Sequence, residues 1–167
     1  MLIRAETEMD RHAVYDVNVA AFGTPTEAIL VEALREQAHP IISLVAEMEG
    51  ELVGHIMFSN VSLSGHPELK VMGLAPMAVA PGHQREGIGS ALVRAGLESC
   101  RESRIAAVVV IGHPEYYPRF GFAPASQFGI DSEFEVPEGV FMAMELQADA
   151  LSERSGRVKY HAAFNNV

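Results

Sequence analysis

The chain has 167 residues, of which 49% are hydrophobic, and this is enough to bury the core of one globular domain. Its formal net charge of −10 argues against nucleic acid or an anionic membrane as the main partner. Cys100 is the only cysteine, so an internal disulfide and a thiolate metal cluster are excluded.

The N-terminal segment lacks the cationic stretch and the long apolar run of a signal peptide. No apolar run approaches the length that spans a membrane. These patterns predict a cytoplasmic protein. The histidines show neither His-x-x-x-His nor His-Glu-x-x-His spacing, so we expect no metal site.

Two helices are predicted after a short strand over residues 2–6. The stretch Thr7–Asp10 resembles a capping box, and apolar residues at spacings of three and four continue the first helix to Phe22. The second helix begins within Thr24–Glu27. There Thr24 is the predicted cap, and the carboxylate of Glu27 is expected to bond back to the Thr24 N–H.

Two antiparallel strands, residues 41–48 and 51–61, are predicted after Pro40 and are joined by a two-residue turn. A loop then leads to a long strand over residues 69–80. Pro76 lies inside this strand. Because proline cannot donate to a strand ladder, the sheet should bulge or open there.

The next part of the chain predicts a helix from Gly87 to about Arg101 and a strand over residues 105–111. Strand, helix and strand together make a parallel, right-handed βαβ unit. A short helix or turn at 113–122 and a last strand at 139–146 follow. The residues predicted to face the core from the helix are Ile88, Ala91, Leu92 and Ala95.

A glycine-bearing loop lies between the long strand and this helix. A helix that begins there directs unpaired N–H groups and its positive dipole end at the loop, which creates an anion site. A Walker loop is excluded because Ile88 stands where the lysine belongs, and a dinucleotide fingerprint because Leu92 replaces the third glycine. The pattern Gln/Arg-x-x-Gly-x-Gly/Ala is met in full by Gln84, Gly87 and Gly89.

This last pattern resembles the acyl-CoA pyrophosphate loop of the GCN5-related N-acetyltransferase (GNAT) family. Met77–Val79 is similar to that family's strand beside the thioester, and Tyr117-x3-Gly121-Phe122 is similar to its signature after the fifth strand. Further similarity, closer still, is to the YhbS group of predicted N-acetyltransferases, and it is carried by the segments Ala21-Phe-Gly, Gly54-His, Gly73-Leu-Ala-Pro and Tyr116-Tyr-Pro-Arg-Phe-Gly-Phe122. Nearly the whole chain is then covered.

The resemblance implies a mixed α/β GNAT fold, the acyl-CoA N-acyltransferase fold, with about six or seven strands flanked by helices. It implies one domain over residues 1–167, with residues 147–167 packed on it as a C-terminal extension. It also implies direct transfer of an acetyl group from acetyl-CoA to a primary amine of a small molecule or peptide, without a metal. A homodimer is compatible with this interpretation.

The resemblance further implies which residues serve each role. Tyr117 stands at the family's position for the acid that protonates the departing thiolate, although Tyr116 offers a second hydroxyl. The general base stays open between Glu27, His55 and a chain of water molecules. The implied acetyl-CoA contacts are Met77, Ala78, Val79, Gln84, Arg85, Glu86, Gly87, Ile88, Gly89, Ser90 and Tyr116.

Two other functions fit the same loop. One is a non-catalytic module that binds or senses acyl-CoA and lacks acceptor chemistry. The other, which fits less well, is a nucleotide-binding protein.

Overall fold

The structure is a computed structural model that describes all 167 residues. A mixed sheet forms its centre, and helices cover both faces of the sheet. The strands are β1 (Leu2–Ala5), β2 (Ile41–Met48), β3 (Glu51–Leu63), β4 (Val71–Val79), β5 (Ala107–Ile111), β6 (Ala123–Pro124), β7 (Ile130–Ser132), β8 (Phe141–Glu145) and β9 (Gly156–Lys159). The helices are α1 (Arg11–Phe22), α2 (Thr26–Gln37) and α3 (Ile88–Glu102).

The main path of the sheet has the order β1-β2-β3-β4-β5-β8-β6, which agrees with the predicted six or seven strands. All neighbours in this path are antiparallel except β4 and β5, which run parallel because α3 connects them. Two short strands, β7 and β9, pair with each other and raise the total to nine. They were not predicted, because segments of three and four residues show no clear alternation.

Strand β4 parts from β5 after Gly73. Pairing between the two strands covers only Val71–Gly73, opposite Ala107–Val109. Beyond a bulge opposite Met57, β4 stays paired with β3 through residues 77–79. The opening predicted at Pro76 is therefore confirmed. We call the gap between residues 74–79 of β4 and the C-terminal end of β5 the fork.

Helices α1 and α2 cover one face of the sheet, and α3 covers the other. Helix α3 approaches the sheet so closely that a Cβ on Gly96 would lie 2.2 Å from Phe58 Cε1. Ile88 and Leu92 are buried as predicted, but Ala91 and Ala95 are only half-buried. The buried stripe instead follows Leu92, Val93, Gly96, Leu97 and Cys100, which places it slightly around the helix from the predicted face.

The predicted capping interactions form before α1 but not before α2. Before α1, the carboxylate of Asp10 accepts the Thr7 N–H at 2.8 Å, so this capping interaction is confirmed. The cap predicted at Thr24 does not form. Pro25 already has helical angles and α2 begins at Thr26, so Thr24 lies one residue too early to cap the helix.

The segment after β8 returns to the sheet. Strand β9 pairs with β3, and Tyr160, which follows it, lies on Gly73 at the base of the fork. The ring of Tyr160 also packs against Phe134 and Phe164, with centroid distances of 5.6 and 5.1 Å. No helix of the chain has the length and hydropathy needed to traverse a lipid bilayer.

Candidate active site

A cleft of about 560 Å³ opens where the fork, the N-terminus of α3 and the segment after β5 meet. This volume is in the usual range for small-molecule sites. Every predicted acetyl-CoA contact lines the cleft except Glu86, which is exposed on the loop beside it. The lining residues are Ala21, Phe22, Met77, Ala78, Val79, His83, Gln84, Arg85, Gly87, Ile88, Gly89, Ser90, Tyr116 and Arg119.

The loop before α3 presents a run of free N–H groups to the cleft. Positive φ angles of 66° at Arg85 and 83° at Gly87 turn the backbone there. None of the N–H groups from Gln84 to Ser90 donates to a backbone carbonyl, and the next one, that of Ala91, bonds to Gly87 O at 3.0 Å. These donors, together with the positive end of the α3 dipole, give the loop the geometry and the electrostatics that suit an anion.

The fork supplies a second set of backbone donors. The N–H of Ala80 donates to Val53 O on β3 at 2.8 Å. Because backbone groups alternate in direction along a strand, the N–H groups of Met77 and Val79 point away from β3, into the fork. The carbonyl of Val79 is also on this side and accepts Gln84 Nε2 at 3.2 Å.

The two tyrosines after β5 differ in environment. Tyr116 lines the cleft, and its hydroxyl lies 3.2 Å from Ser90 Oγ. Tyr117 is not among the residues that line the cleft. It packs on Gly112 and among the rings of Tyr116 and Phe122.

The Tyr117 hydroxyl nevertheless remains free to form a hydrogen bond. The residue is 8% exposed, and its hydroxyl forms no hydrogen bond within the protein and is not sealed from solvent. Burial raises the pKa of Tyr117 to about 12, with a smaller contribution from Tyr116. The group therefore stays protonated at any physiological pH.

His55 is sealed under α1 and has no free ring nitrogen. Its Nδ1 lies 3.2 Å from Asn18 Nδ2, and its Nε2 lies 2.9 Å from Ser43 Oγ. The Ser43 hydroxyl in turn donates to Glu6 at 2.8 Å. Burial lowers the pKa of His55 to about 3, with a smaller contribution from Arg35. Both nitrogens are occupied by neutral partners, so His55 is a structural residue of the sheet face.

Glu27 lies outside the cleft; its Oε1 is 3.5 Å from Thr24 Oγ1 on the α1–α2 connection. No group of three or more His, Cys, Asp or Glu side chains converges anywhere in the chain. Cys100 is fully buried, and burial raises the pKa of its thiol to about 12.

Sequence reasoning missed the lining residues Ala21, Phe22, His83 and Arg119. The first two come from the end of α1, which only the tertiary fold brings to the fork. Arg119 carried a signal, because it is the cation within the Tyr117-x3-Gly121 motif. Its Nε donates to the Tyr116 carbonyl at 3.0 Å, and its guanidinium lies 4.6 Å from the Tyr116 ring centroid.

Comparison with known sequences finds a matching domain profile and related proteins. The profile of the acetyltransferase (GNAT) domain matches residues 2–125. The uncharacterized N-acetyltransferase YhbS of Escherichia coli K12 is 37% identical over 166 residues, which is 99% of each chain. The uncharacterized N-acetyltransferase YjhQ of the same strain is 41% identical over 133 residues, covering 77% of this chain and 74% of YjhQ.

Two solved structures also resemble this chain in fold and in sequence. The crystal structure of E. coli YhbS in complex with CoA superposes with a TM-score of 0.91 at 35% identity, covering 98% of this chain and 91% of that one. A GNAT family acetyltransferase from Brucella melitensis in complex with acetyl-CoA gives a TM-score of 0.80 at 35% identity, covering 98% and 97%.

Proposed function

The chain belongs to the GCN5-related N-acetyltransferase family, and we propose that it transfers the acetyl group of acetyl-CoA to a primary amine by direct attack of the amine on the thioester. The family and the relatives that bind CoA or acetyl-CoA make it an acyl-CoA-dependent N-acyltransferase. The observation that carries the proposal is the run of free N–H groups from Gln84 to Ser90 beside the fork.

The pyrophosphate of acetyl-CoA lies on these N–H groups in our proposal. Arg85 and Glu86 are exposed and Ile88 is buried, so these residues serve through their backbone. Gly89 keeps the approach open, since a Cβ there would lie 3.4 Å from Met77 Cε and from the Tyr116 hydroxyl. The pantetheine arm then enters the fork between β4 and β5, beside Met77, Ala78 and Val79.

The thioester carbonyl is placed against β4. The N–H groups of Met77 and Val79 point into the fork, where they stabilise the negative oxygen of the tetrahedral intermediate. One donor of this kind typically contributes about 3 kcal/mol. A direct attack is supported by Cys100, because the only thiol is buried and protonated and offers no acyl-enzyme route.

Tyr117 donates its proton to the departing CoA sulfur in our proposal. Its hydroxyl has no protein partner and stays protonated, whereas the Tyr116 hydroxyl is engaged with Ser90. Water accepts the proton of the amine, because His55 is sealed with both nitrogens bonded and Glu27 does not reach the cleft. The acceptor amine approaches from the side of Ala21 and Phe22 at the end of α1.

We also propose that residues 1–167 act as one domain. The family profile ends at residue 125, yet β8 pairs along β5 and β9 pairs with β3. Removal of the C-terminal part would therefore expose the sheet beside the fork.

A screen of primary amines with acetyl-CoA and detection of free thiol tests the proposal. We expect thiol release that depends on one class of amine, with the N-acetylated product identified by mass spectrometry. Initial rates should show intersecting rather than parallel patterns, because both substrates are bound when the acetyl group moves. Tight CoA binding without acceptor-dependent release for any amine class would contradict an enzymatic role.

A further inference from the structure

Two arginines without a carboxylate partner, Arg85 and Arg119, line the cleft, and a third, Arg94, lies one turn after Ser90 on α3. Arg85, Arg94 and Arg119 have no Asp or Glu oxygen within 4.0 Å, although Arg4 and Arg157 elsewhere are paired with carboxylates at 2.7 and 3.0 Å. The chain carries 22 acidic residues. Unpaired cations in the wall of a cleft of such an acidic protein favour an anionic ligand there.

Arg119 is held in place by the tyrosine beside the cleft. Its guanidinium lies 4.6 Å from the Tyr116 ring centroid, and its Nε donates to the Tyr116 carbonyl at 3.0 Å. The remaining guanidinium N–H groups have no partner in the protein. A stacked, singly anchored guanidinium has lost most of its rotational freedom and presents the N–H groups of its two terminal nitrogens in a fixed plane.

Arg94 is also held by an aromatic ring, which is the neighbour of Tyr116. Its guanidinium lies 4.9 Å from the Phe120 ring centroid, and Phe120 packs edge-on against Tyr116 at 5.2 Å. Arg94 lies one turn after Ser90 on the same side of α3, and Ser90 contacts the Tyr116 hydroxyl. The two guanidinium groups therefore stack on neighbouring rings, of which Tyr116 lines the cleft together with Arg119.

The free N–H groups of the loop already match the pyrophosphate of CoA, which is a diester. The 3′-phosphate of CoA is a monoester with a charge of about −1.5 to −2 at pH 7, and such a group favours bidentate guanidinium contacts. We propose that Arg94 and Arg119 bind the 3′-phosphate and make the enzyme select CoA over dephospho-CoA. The assignment rests on the proposed function, because it takes CoA as the occupant of the cleft.

Isothermal titration of CoA and of dephospho-CoA tests the assignment. Variants Arg94→Ala, Arg119→Ala and the double variant are compared with wild type. Arg104→Ala is the matched control, since this arginine also lacks a carboxylate partner but follows the far end of α3. We expect wild type to bind CoA at least about tenfold tighter than dephospho-CoA.

Each single variant should reduce the ratio of the CoA affinity to the dephospho-CoA affinity by at least about threefold. The double variant should bring this ratio close to one. Its affinity for dephospho-CoA should stay near that of wild type. Arg104→Ala should keep the wild-type ratio. Equal affinity of wild type for the two ligands, or an unchanged ratio in the double variant, would overturn the assignment. A wild-type protein that binds neither ligand would instead overturn the proposed function.

Discussion

Tyr116 and Tyr117 are neighbours in sequence, but their hydroxyl groups have different surroundings. The Tyr116 hydroxyl lies at the cleft wall against Ser90, and the Tyr117 hydroxyl lies in an aromatic cluster without a polar partner. Only the second has no hydrogen-bond partner within the protein, which is why we propose Tyr117 as the acid. The catalytic assignment therefore depends on contacts rather than on ring chemistry.

Tyr117→Phe should lower kcat at least about tenfold, a barrier increase of about 1.4 kcal/mol, because the thiolate then leaves without a proton donor. The ring remains, so stability and acetyl-CoA affinity should hardly change. Steady-state rates with the identified amine measure the effect. Tyr116→Phe is the control and should retain most of the rate. If the two variants exchange behaviour, the acid is Tyr116; if neither loses rate, both tyrosines serve packing only.

His55 should make the stability of the protein depend on pH. Its pKa is about 3 in the folded protein and about 6.5 when unfolded, so the unfolded state binds the extra proton as pH falls below 6.5. The contribution of His55 to the free energy of unfolding is therefore fully present above pH 6.5 and is lost as the pH falls. The free energy of unfolding should decline by about 1.4 kcal/mol between pH 8 and pH 5.5. Denaturant unfolding at both pH values measures the decline.

His55→Gln supplies the control for this pH effect. Glutamine offers polar contacts to Asn18 and Ser43 but does not titrate. The variant should therefore lose the difference between pH 8 and pH 5.5, whatever its absolute stability. A decline as steep as that of wild type would show that other groups cause it.

At the scale of elements, the site is produced by a strand that opens and a helix that begins. The bulge opposite Met57 and the loss of pairing after Gly73 separate β4 from β5. Helix α3 is held against the sheet by the close contact of Gly96 with Phe58, so its N-terminus stays beside the fork. Neither element alone would make a site for a thioester with a phosphate tail.

Gly87→Val and Gly89→Val should each abolish CoA binding in isothermal titration. Valine at residue 87 is strained at φ 83°, and valine at residue 89 occupies the space between Met77 and Tyr116 that the pyrophosphate needs. Circular dichroism should show an intact fold. Gly82→Val is the control in the same loop, because a Cβ there meets nothing within 4 Å. Normal CoA binding by either of the first two variants would refute the loop assignment.

At the scale of the whole molecule, the C-terminal part closes the sheet next to the site. Tyr160 occupies the space above Gly73, where β4 and β5 separate, and joins the core that α2 covers. Its hydroxyl is buried without a partner, and burial raises the pKa of Tyr160, with Glu133 adding to the effect. The tail therefore contributes to the core through the ring and gains nothing from the hydroxyl.

Tyr160→Ala should lower the free energy of unfolding by about 3–5 kcal/mol, because it leaves a cavity at the base of the fork. Tyr160→Phe should change it by less than about 1 kcal/mol, since no hydrogen bond is lost. Urea unfolding of the three proteins compares them. A small effect of the alanine variant would mean that the tail is not part of the folded core.

The sequence by itself determined the features that depend on neighbouring residues. Proline chemistry predicted the opening at Pro76, and the glycine spacing with the helix start near Gly87 predicted the anion loop. The main strands and helices followed from periodicity. The family resemblance added the fold and the activity, and the family is confirmed by the profile and the full-length relatives.

Only the tertiary structure decided the features that depend on contacts between distant segments. It placed Phe22 and Arg119 at the cleft, sealed His55 between Asn18 and Ser43, and paired β9 with β3. The sequence pattern of a histidine in a strand does not show which groups will face its nitrogens. Such a role is set by packing across the sheet, which local propensity does not encode.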